Sequence, residues 1–73
     1  MRITLNGENR EVTEGHSVEA LLSDLGIPAE RVAVELNLTI VDRQAFPGTS
    51  LRDGDRLEVI GFIGGGRSDD DER

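Results

Sequence analysis

The chain has 73 residues, and its composition is that of one small, acidic domain. Hydrophobic residues make up 36% and charged residues 32%, a balance typical of a folded domain with a polar surface. This length leaves no room for an enzyme with a deep cleft. Cysteine is absent, which excludes disulfides, thiolate zinc sites and iron–sulfur clusters. The net charge of -7 argues against binding to nucleic acid and favours a partner with a basic docking face.

The sequence also gives an expectation about location. No apolar run approaches the length of a membrane span, and the opening MRITLNGENR lacks the basic-then-apolar pattern of a secretory signal. We therefore expect a cytoplasmic protein that does not bind membranes. All eight basic residues are arginines, so the chain has no lysine amine through which it could be attached to itself.

The first elements in the chain predict a β-hairpin. Ile3 and Leu5 alternate with polar residues and lead into Asn6-Gly7, a sequence typical of a tight turn between two strands. The return strand should run around Arg10 to Thr13.

One helix should follow the hairpin. Ser17 is a candidate N-cap, because its hydroxyl can accept a hydrogen bond from the first turn of a helix. Gly26 and Pro28 should end the helix. The residues with the spacing of one buried helical stripe are Val18, Leu21, Leu22 and Leu25.

The second half of the chain predicts strands. The alternation in VAVEL, residues 32–36, indicates a strand with one buried face, and residues 38–41 offer a short further strand after a turn at Asn37. Phe46 should anchor the irregular loop that comes next. A turn at D-G-D, residues 53–55, then leads into the last and most apolar strand, RLEVIGFI, at 56–63.

Taken together, these elements predict an α+β fold. A hairpin, one principal helix and a final strand that can occupy the centre of a mixed sheet describe a ubiquitin-like β-grasp roll. We expect the folded domain to cover residues 1–63. Residues 64–66 should then form a flexible glycine tail, and residues 67–73, RSDDDER, a disordered acidic extension.

The last strand carries a candidate docking surface. If Leu57 and Val59 point into the core, Ile60 and Phe62 lie on the opposite face by strict alternation. Two apolar residues beside the exit of the tail would form a patch for a partner. Ordinary burial against the Phe46 loop is the alternative.

Other polar residues are interpreted as structural. His16 should be a solvated turn residue, since no second ligand-type residue marks a site beside it. Asp53 and Asp55 should form a turn, because the further oxygen ligands of a calcium loop are missing. Arg52 and Arg56 should be solvated. No nucleophile–base pair or metal cluster is visible, so we do not expect an enzyme, and no bound cofactor or metal is predicted.

Three segments together carry a family resemblance. VAVELN, TIVDR and LRDGDRLEVIGFIGGG, with the D-G-D turn before the last strand and the F-x-G-G-G ending, resemble the ThiS family of thiamine-biosynthesis sulfur carriers. The resemblance extends from Met1 to Gly66. The related small subunit of molybdopterin synthase also ends in Gly-Gly, but the phenylalanine and triple glycine are closer to the thiamine branch.

The resemblance implies a protein substrate whose chain end is the working part. An E1-like adenylyltransferase would use ATP and Mg²⁺ to adenylate the carboxylate of Gly66, which then becomes a thiocarboxylate and donates sulfur to thiazole synthase. Gly64 and Gly65 would thread the enzyme channel. Glycine suits that task because it lacks a Cβ, and three extended residues reach roughly 10 Å.

The chain departs from the family pattern after Gly66. Arg67 ties up the carboxylate of that glycine in an amide bond, so we expect a protease to remove RSDDDER. Two other functions remain open. One is a ubiquitin-like modifier or a carrier for another pathway, such as molybdopterin synthesis. The other is a non-covalent binding module in which the glycines are a linker.

Overall fold

A mixed five-stranded sheet with one α-helix on one face makes up the fold. The computed structural model describes residues 1–61. The strands and the helix are β1 (Arg2–Leu5), β2 (Glu8–Glu11), α1 (Val18–Asp24), β3 (Val32–Leu36), β4 (Thr39–Val41) and β5 (Arg56–Gly61). Two short 3-10 helices, Ala29–Arg31 and Arg43–Gly48, flank β3 and β4.

The strand order is β2-β1-β5-β3-β4, so the last strand lies in the centre of the sheet. It pairs parallel to β1 and antiparallel to β3. The predicted β-grasp arrangement is therefore confirmed. The short strand predicted at 38–41 begins one residue later, because Leu38 belongs to the turn.

The first hairpin turns earlier than predicted. Asn6 and Gly7 have φ values of 50° and 84°, as a two-residue hairpin turn requires. Glu8 consequently pairs with Leu5, so β2 begins at Glu8. The return strand predicted around Arg10 to Thr13 therefore begins and ends two residues too late. The prediction allowed a longer loop than the two-residue turn at Asn6 and Gly7.

The helix has both of its predicted ends. The Ser17 hydroxyl accepts a hydrogen bond from the amide of Ala20 at 3.0 Å, which confirms the N-cap. At the other end Gly26 adopts φ 70°, and the amide of Ile27 donates to the carbonyl of Leu22 at 2.9 Å. Closure by a left-handed glycine supplies partners for the last helical carbonyls.

The core lies between α1 and the inner face of the sheet. Phe46 is 2% exposed and anchors its loop there, as predicted. The central strand contributes Leu57, which is fully buried. The buried hydrophobic residues of the described chain are Ile3, Leu5, Val18, Leu21, Leu22, Val32, Val34, Phe46, Leu51 and Leu57.

Candidate functional site at the end of the last strand

The described part of the chain stops five residues before the predicted functional terminus. The glycines expected to carry the chemistry, Gly64, Gly65 and Gly66, lie outside the described residues, as does Phe62. The structure nevertheless fixes the strand that leads to them. The course of β5 up to Gly61 therefore decides where on the domain the terminus is attached.

Side chains along β5 alternate between the two faces of the sheet. Leu57 is buried and Val59 is half-buried, whereas Glu58 is exposed and Ile60 is 51% exposed. The register assumed for Ile60 is thus confirmed, and the alternative of burial against the Phe46 loop does not apply to it. Docking of a partner at Ile60 remains a prediction.

Two asparagines fix the central strand from either side. The Asn6 side chain accepts a hydrogen bond from the amide of Val59 at 2.8 Å and donates one to its carbonyl at 3.3 Å. Asn37 accepts from the amide of Arg56 at 3.0 Å through its side chain, and its own amide donates to the Arg56 carbonyl at 2.8 Å. Both asparagines therefore extend the pairing of β5 beyond the ends of β1 and β3.

The D-G-D turn orients the start of β5. The Asp53 carboxylate accepts a hydrogen bond from the amide of Arg2 at 2.8 Å. The Asp55 carboxylate accepts from the amide of Arg52 at 2.8 Å and from the Asn37 side chain at 3.0 Å. Both aspartates are turn formers, as predicted, and their oxygen atoms serve backbone and amide donors.

Gly61, the last described residue of β5, lies at the end of the sheet where β3 begins, so the segment that follows starts from there. Gly61 pairs with Val32, the first residue of β3. Beside it, the Arg43 guanidinium donates hydrogen bonds to the carbonyls of Ala29 at 3.0 Å and Val32 at 3.3 Å. Arg43 thereby ties the loop after β4 to the start of β3, the strand whose first residue pairs with Gly61.

The side of the sheet away from the helix is not covered by any other element of the described chain. We call it the outer face, and beside the tail exit it consists of Ala33, Glu35, Ile40, Glu58 and Ile60. Ile60 pairs with Ala33, and Ile40 pairs with Glu35. Ile40 is 71% exposed. Ile40 and Ile60 thus expose two isoleucine side chains on the same face, on strands separated by β3.

The turn between β3 and β4 holds a leucine in an unfavourable conformation. Leu38 has φ 71° and is 80% exposed. In the left-handed region the Cβ of an L-residue crowds the following carbonyl, which costs roughly 1–2 kcal/mol. A glycine at this position would avoid that cost.

Replacing this leucine with glycine is expected to stabilise the domain. We expect Leu38→Gly to raise the free energy of unfolding by about 0.5–1 kcal/mol, after allowance for the greater freedom of glycine in the unfolded chain. Urea unfolding measures the change. Leu38→Ala is the matched control, because it removes the side chain but keeps the Cβ. Equal stability of the two variants would contradict backbone strain at Leu38.

His16 differs from the prediction. Its Nε2 atom lies 2.6 Å from Oδ2 of Asp24, and its side chain is only 21% exposed. The interpretation as a solvated turn residue was therefore wrong. The contact joins the segment before α1 to the last residue of that helix, a pairing across one helix length that the sequence did not indicate.

Two searches of the described chain bear on other classes of site. Residues 1–61 contain no group of three or more histidine, aspartate or glutamate side chains that could hold a metal ion. No helix within the same residues is long and apolar enough to cross a membrane.

Comparison with known proteins decides the family. The sequence model of the ThiS family matches residues 3–66. The chain belongs to the ThiS family. The match covers β1 from Ile3 onward, the helix and the other four strands, and its last residue is Gly66, the glycine whose role the family resemblance implies.

Individual relatives agree with this family assignment. The sulfur carrier protein ThiS of Thermus thermophilus is 38% identical over 64 residues, which cover 88% of this chain and 98% of the relative. The crystal structure of ThiS from Geobacter metallireducens superposes with a TM-score of 0.79 at 43% identity, covering 90% of this chain and all of that one. That likeness agrees with the β-grasp fold.

A larger relative contains a region similar to this ThiS-family chain. A thiazole synthase of Paramagnetospirillum magneticum is 46% identical over 66 residues, which are 90% of this chain but 20% of the relative. The chain thus spans about a fifth of the length of that thiazole synthase.

Proposed function

We propose that this ThiS-family chain is a sulfur carrier for thiazole formation in thiamine biosynthesis. The observation that carries the proposal is the family match over residues 3–66, which ends at the third of three consecutive glycines. The chain acts as a protein substrate, and its partners supply the catalytic groups. Its site of action is the cytoplasm.

The chemistry takes place at the carboxylate of Gly66. A carboxylate is a poor electrophile because its charge is delocalised, so ATP first converts it to an acyl adenylate with release of pyrophosphate. A sulfur nucleophile then attacks the carbonyl carbon, and AMP leaves with the former carboxylate oxygen. The product is a thiocarboxylate, in which one oxygen of Gly66 has been exchanged for sulfur.

The proposed partners are an E1-like adenylyltransferase and a thiazole synthase. The adenylyltransferase binds ATP and Mg²⁺ and stabilises the developing charge, since activation needs positioned donors that the carrier does not bring. Thiazole synthase accepts the sulfur. The thiazole synthase relative with a ThiS-like region in its own chain supports a functional link between carrier and enzyme.

The proposed reach of the tail follows from chain geometry. Gly66 is five residues beyond Gly61, so even a fully extended segment from Gly61 would place its carbonyl at most roughly 17 Å from the last described residue of the sheet. Gly64 and Gly65 would pass through the narrowest part of the enzyme channel, because they lack a Cβ. In this proposal, the folded domain, residues 1–63, docks on the enzyme. The glycine tail, residues 64–66, carries the carboxylate that reacts.

Release of the Gly66 carboxylate is a required step. We propose that a protease hydrolyses the amide bond between Gly66 and Arg67, adding water across it and removing residues 67–73. The segment RSDDDER contains no apolar residue, which favours exposure to a protease over packing against the domain.

Docking next to the tail is assigned to Ile60 and Phe62. Ile60 is half exposed on the outer face and is followed directly by Gly61, where the described strand ends. An enzyme that holds Gly66 must approach this end of the sheet. A half-exposed isoleucine at that place supports an apolar contact with the enzyme.

The experiment that tests the function is the intact mass of the protein isolated from its own cells grown without thiamine. We expect a species that ends at Gly66, part of it heavier by the exchange of one oxygen for sulfur. Gly66 joined to lysines of other proteins would instead identify a modifier. Only the unmodified 73-residue chain under that demand would refute the carrier function and favour a non-covalent binding module.

A further inference from the structure

Two carboxylates face each other directly across strands on the outer face. Glu35 on β3 pairs in register with Glu58 on β5. Side chains paired in this way have Cβ atoms only about 4.5–5.5 Å apart, and like charges there repel. No arginine of residues 1–61 lies within salt-bridge distance of either glutamate. Within the described residues, neither carboxylate of this pair has an ion-pair partner, and the nearest cation on the same face of β5 is Arg56, two residues before Glu58.

Apolar side chains border this pair on two sides. Ile40 pairs with Glu35 on the β4 side. Ile60 follows Glu58 by two residues on the same face of β5, so the two side chains are about 7 Å apart along the strand. A charged centre with an exposed apolar border fits a cationic side chain whose surroundings are apolar.

Charge and position restrict what can cover this surface. A second copy of the chain would bring its own Glu35 and Glu58 onto the same face, and nucleic acid or an anionic membrane would add further negative charge. Glu58 lies three residues before Gly61, about 10 Å from the tail exit. Because the tail reaches at most roughly 17 Å further, an enzyme that holds Gly66 has its active-site rim near this surface.

We propose that Glu35 and Glu58 bind an arginine or lysine of thiazole synthase, with Ile40 and Ile60 packing around it. This inference rests on the proposed sulfur-carrier function and names the surface that the acceptor enzyme recognises. Thiazole synthase is chosen as the occupant because one such enzyme carries a region 46% identical to this chain. The repulsion between the two carboxylates is relieved when the cation binds.

Charge reversal at the pair, with a matched control, tests the proposal. The test compares Glu58→Arg with Glu14→Arg, each produced in the cells of origin and purified so that any processing has taken place. Glu14 is exposed and follows β2, at the end of the sheet opposite Gly61. Both variants change the net charge equally. Binding to thiazole synthase from the same cells is measured by calorimetry.

Glu58→Arg is expected to weaken binding by at least about tenfold, whereas Glu14→Arg stays within about twofold of the unaltered chain. Equal affinities for the two variants, or no binding by the unaltered chain, would overturn the proposal. A melting temperature of Glu58→Arg no lower than that of Glu14→Arg confirms that the variant is folded. If Glu58→Arg melts at a lower temperature than Glu14→Arg, the affinities of Glu58→Gln and Glu14→Gln are compared instead. Weaker binding by Glu58→Gln would support the proposal, and equal affinities would overturn it.

The salt dependence of binding gives a second measurement. The affinity of the unaltered chain should fall with ionic strength, and the double variant Glu35→Gln, Glu58→Gln should show a shallower fall. An unchanged slope would contradict a charged contact at the pair. Failure of the sulfur-carrier function would appear separately, as the absence of thiocarboxylate in the intact mass of the unaltered protein.

Discussion

Gly66→Ala is expected to lower the rate of thiocarboxylate formation at least about a hundredfold. The substitution keeps the terminal carboxylate but adds a Cβ at the residue that enters the enzyme channel. Displacement of a reacting group by about 1 Å can cost a hundredfold in rate, and alanine also loses the backbone freedom of glycine. The rate is measured by mass spectrometry of the sulfur content at successive times after thiamine is withdrawn from the cells, and the same spectra show the removal of residues 67–73.

Gly61→Ala is the matched control for this substitution. A Cβ built at Gly61 meets no atom within 4 Å, and its φ does not lie in the left-handed region. The control should therefore fold and carry sulfur at the level of the unaltered chain. If Gly66→Ala is loaded as fully as Gly61→Ala, Gly66 is not the reacting residue. If the Gly66→Ala variant is found only as the full-length chain, the defect lies in the removal of residues 67–73, the step that precedes loading with sulfur.

Leu57→Ala is expected to destabilise the domain by about 3–4 kcal/mol. Leu57 is fully buried on the central strand, so its truncation leaves a cavity between α1 and three strands. A domain of this length has a free energy of unfolding of roughly 4–11 kcal/mol. The melting temperature should fall by about 15 °C or more, with part of the protein unfolded at growth temperature.

Ile60→Ala on the same strand is the control for Leu57→Ala. Ile60 is 51% exposed, and its truncation should change the free energy of unfolding by no more than roughly 0.5 kcal/mol. Calorimetry or urea unfolding measures both variants. Equal destabilisation would show that Ile60 is buried in solution, and the assignment of the outer face would then be wrong.

Local sequence signals predicted most of the elements. The Ser17 cap, the helical stripe that begins at Val18 and the closing Gly26 are interactions within a few residues, and each appears in the structure. The D-G-D turn is similarly local. The alternation of the last strand also predicted that Ile60 lies on the face opposite Leu57, because the period of two does not depend on the neighbouring strands, but it left open whether Ile60 is exposed or buried.

Contacts between residues far apart in the chain were not predicted. The sequence marked Asn6 and Asn37 as turn residues, but not as side chains that bond to β5 from both edges. It also missed the contact between His16 and Asp24. Each of these contacts depends on how two elements are placed relative to each other. Hydrophobic periodicity predicts single elements and gives no information about that placement.

By itself, then, the sequence determined the order of the principal strands and the helix and the central position available to the last strand. Only the tertiary structure decided the strand register. That register places Glu35 opposite Glu58 and sets Ile40 and Ile60 around them. The physical reason is that turns and caps depend on neighbouring residues, whereas register follows from packing of the whole core against α1.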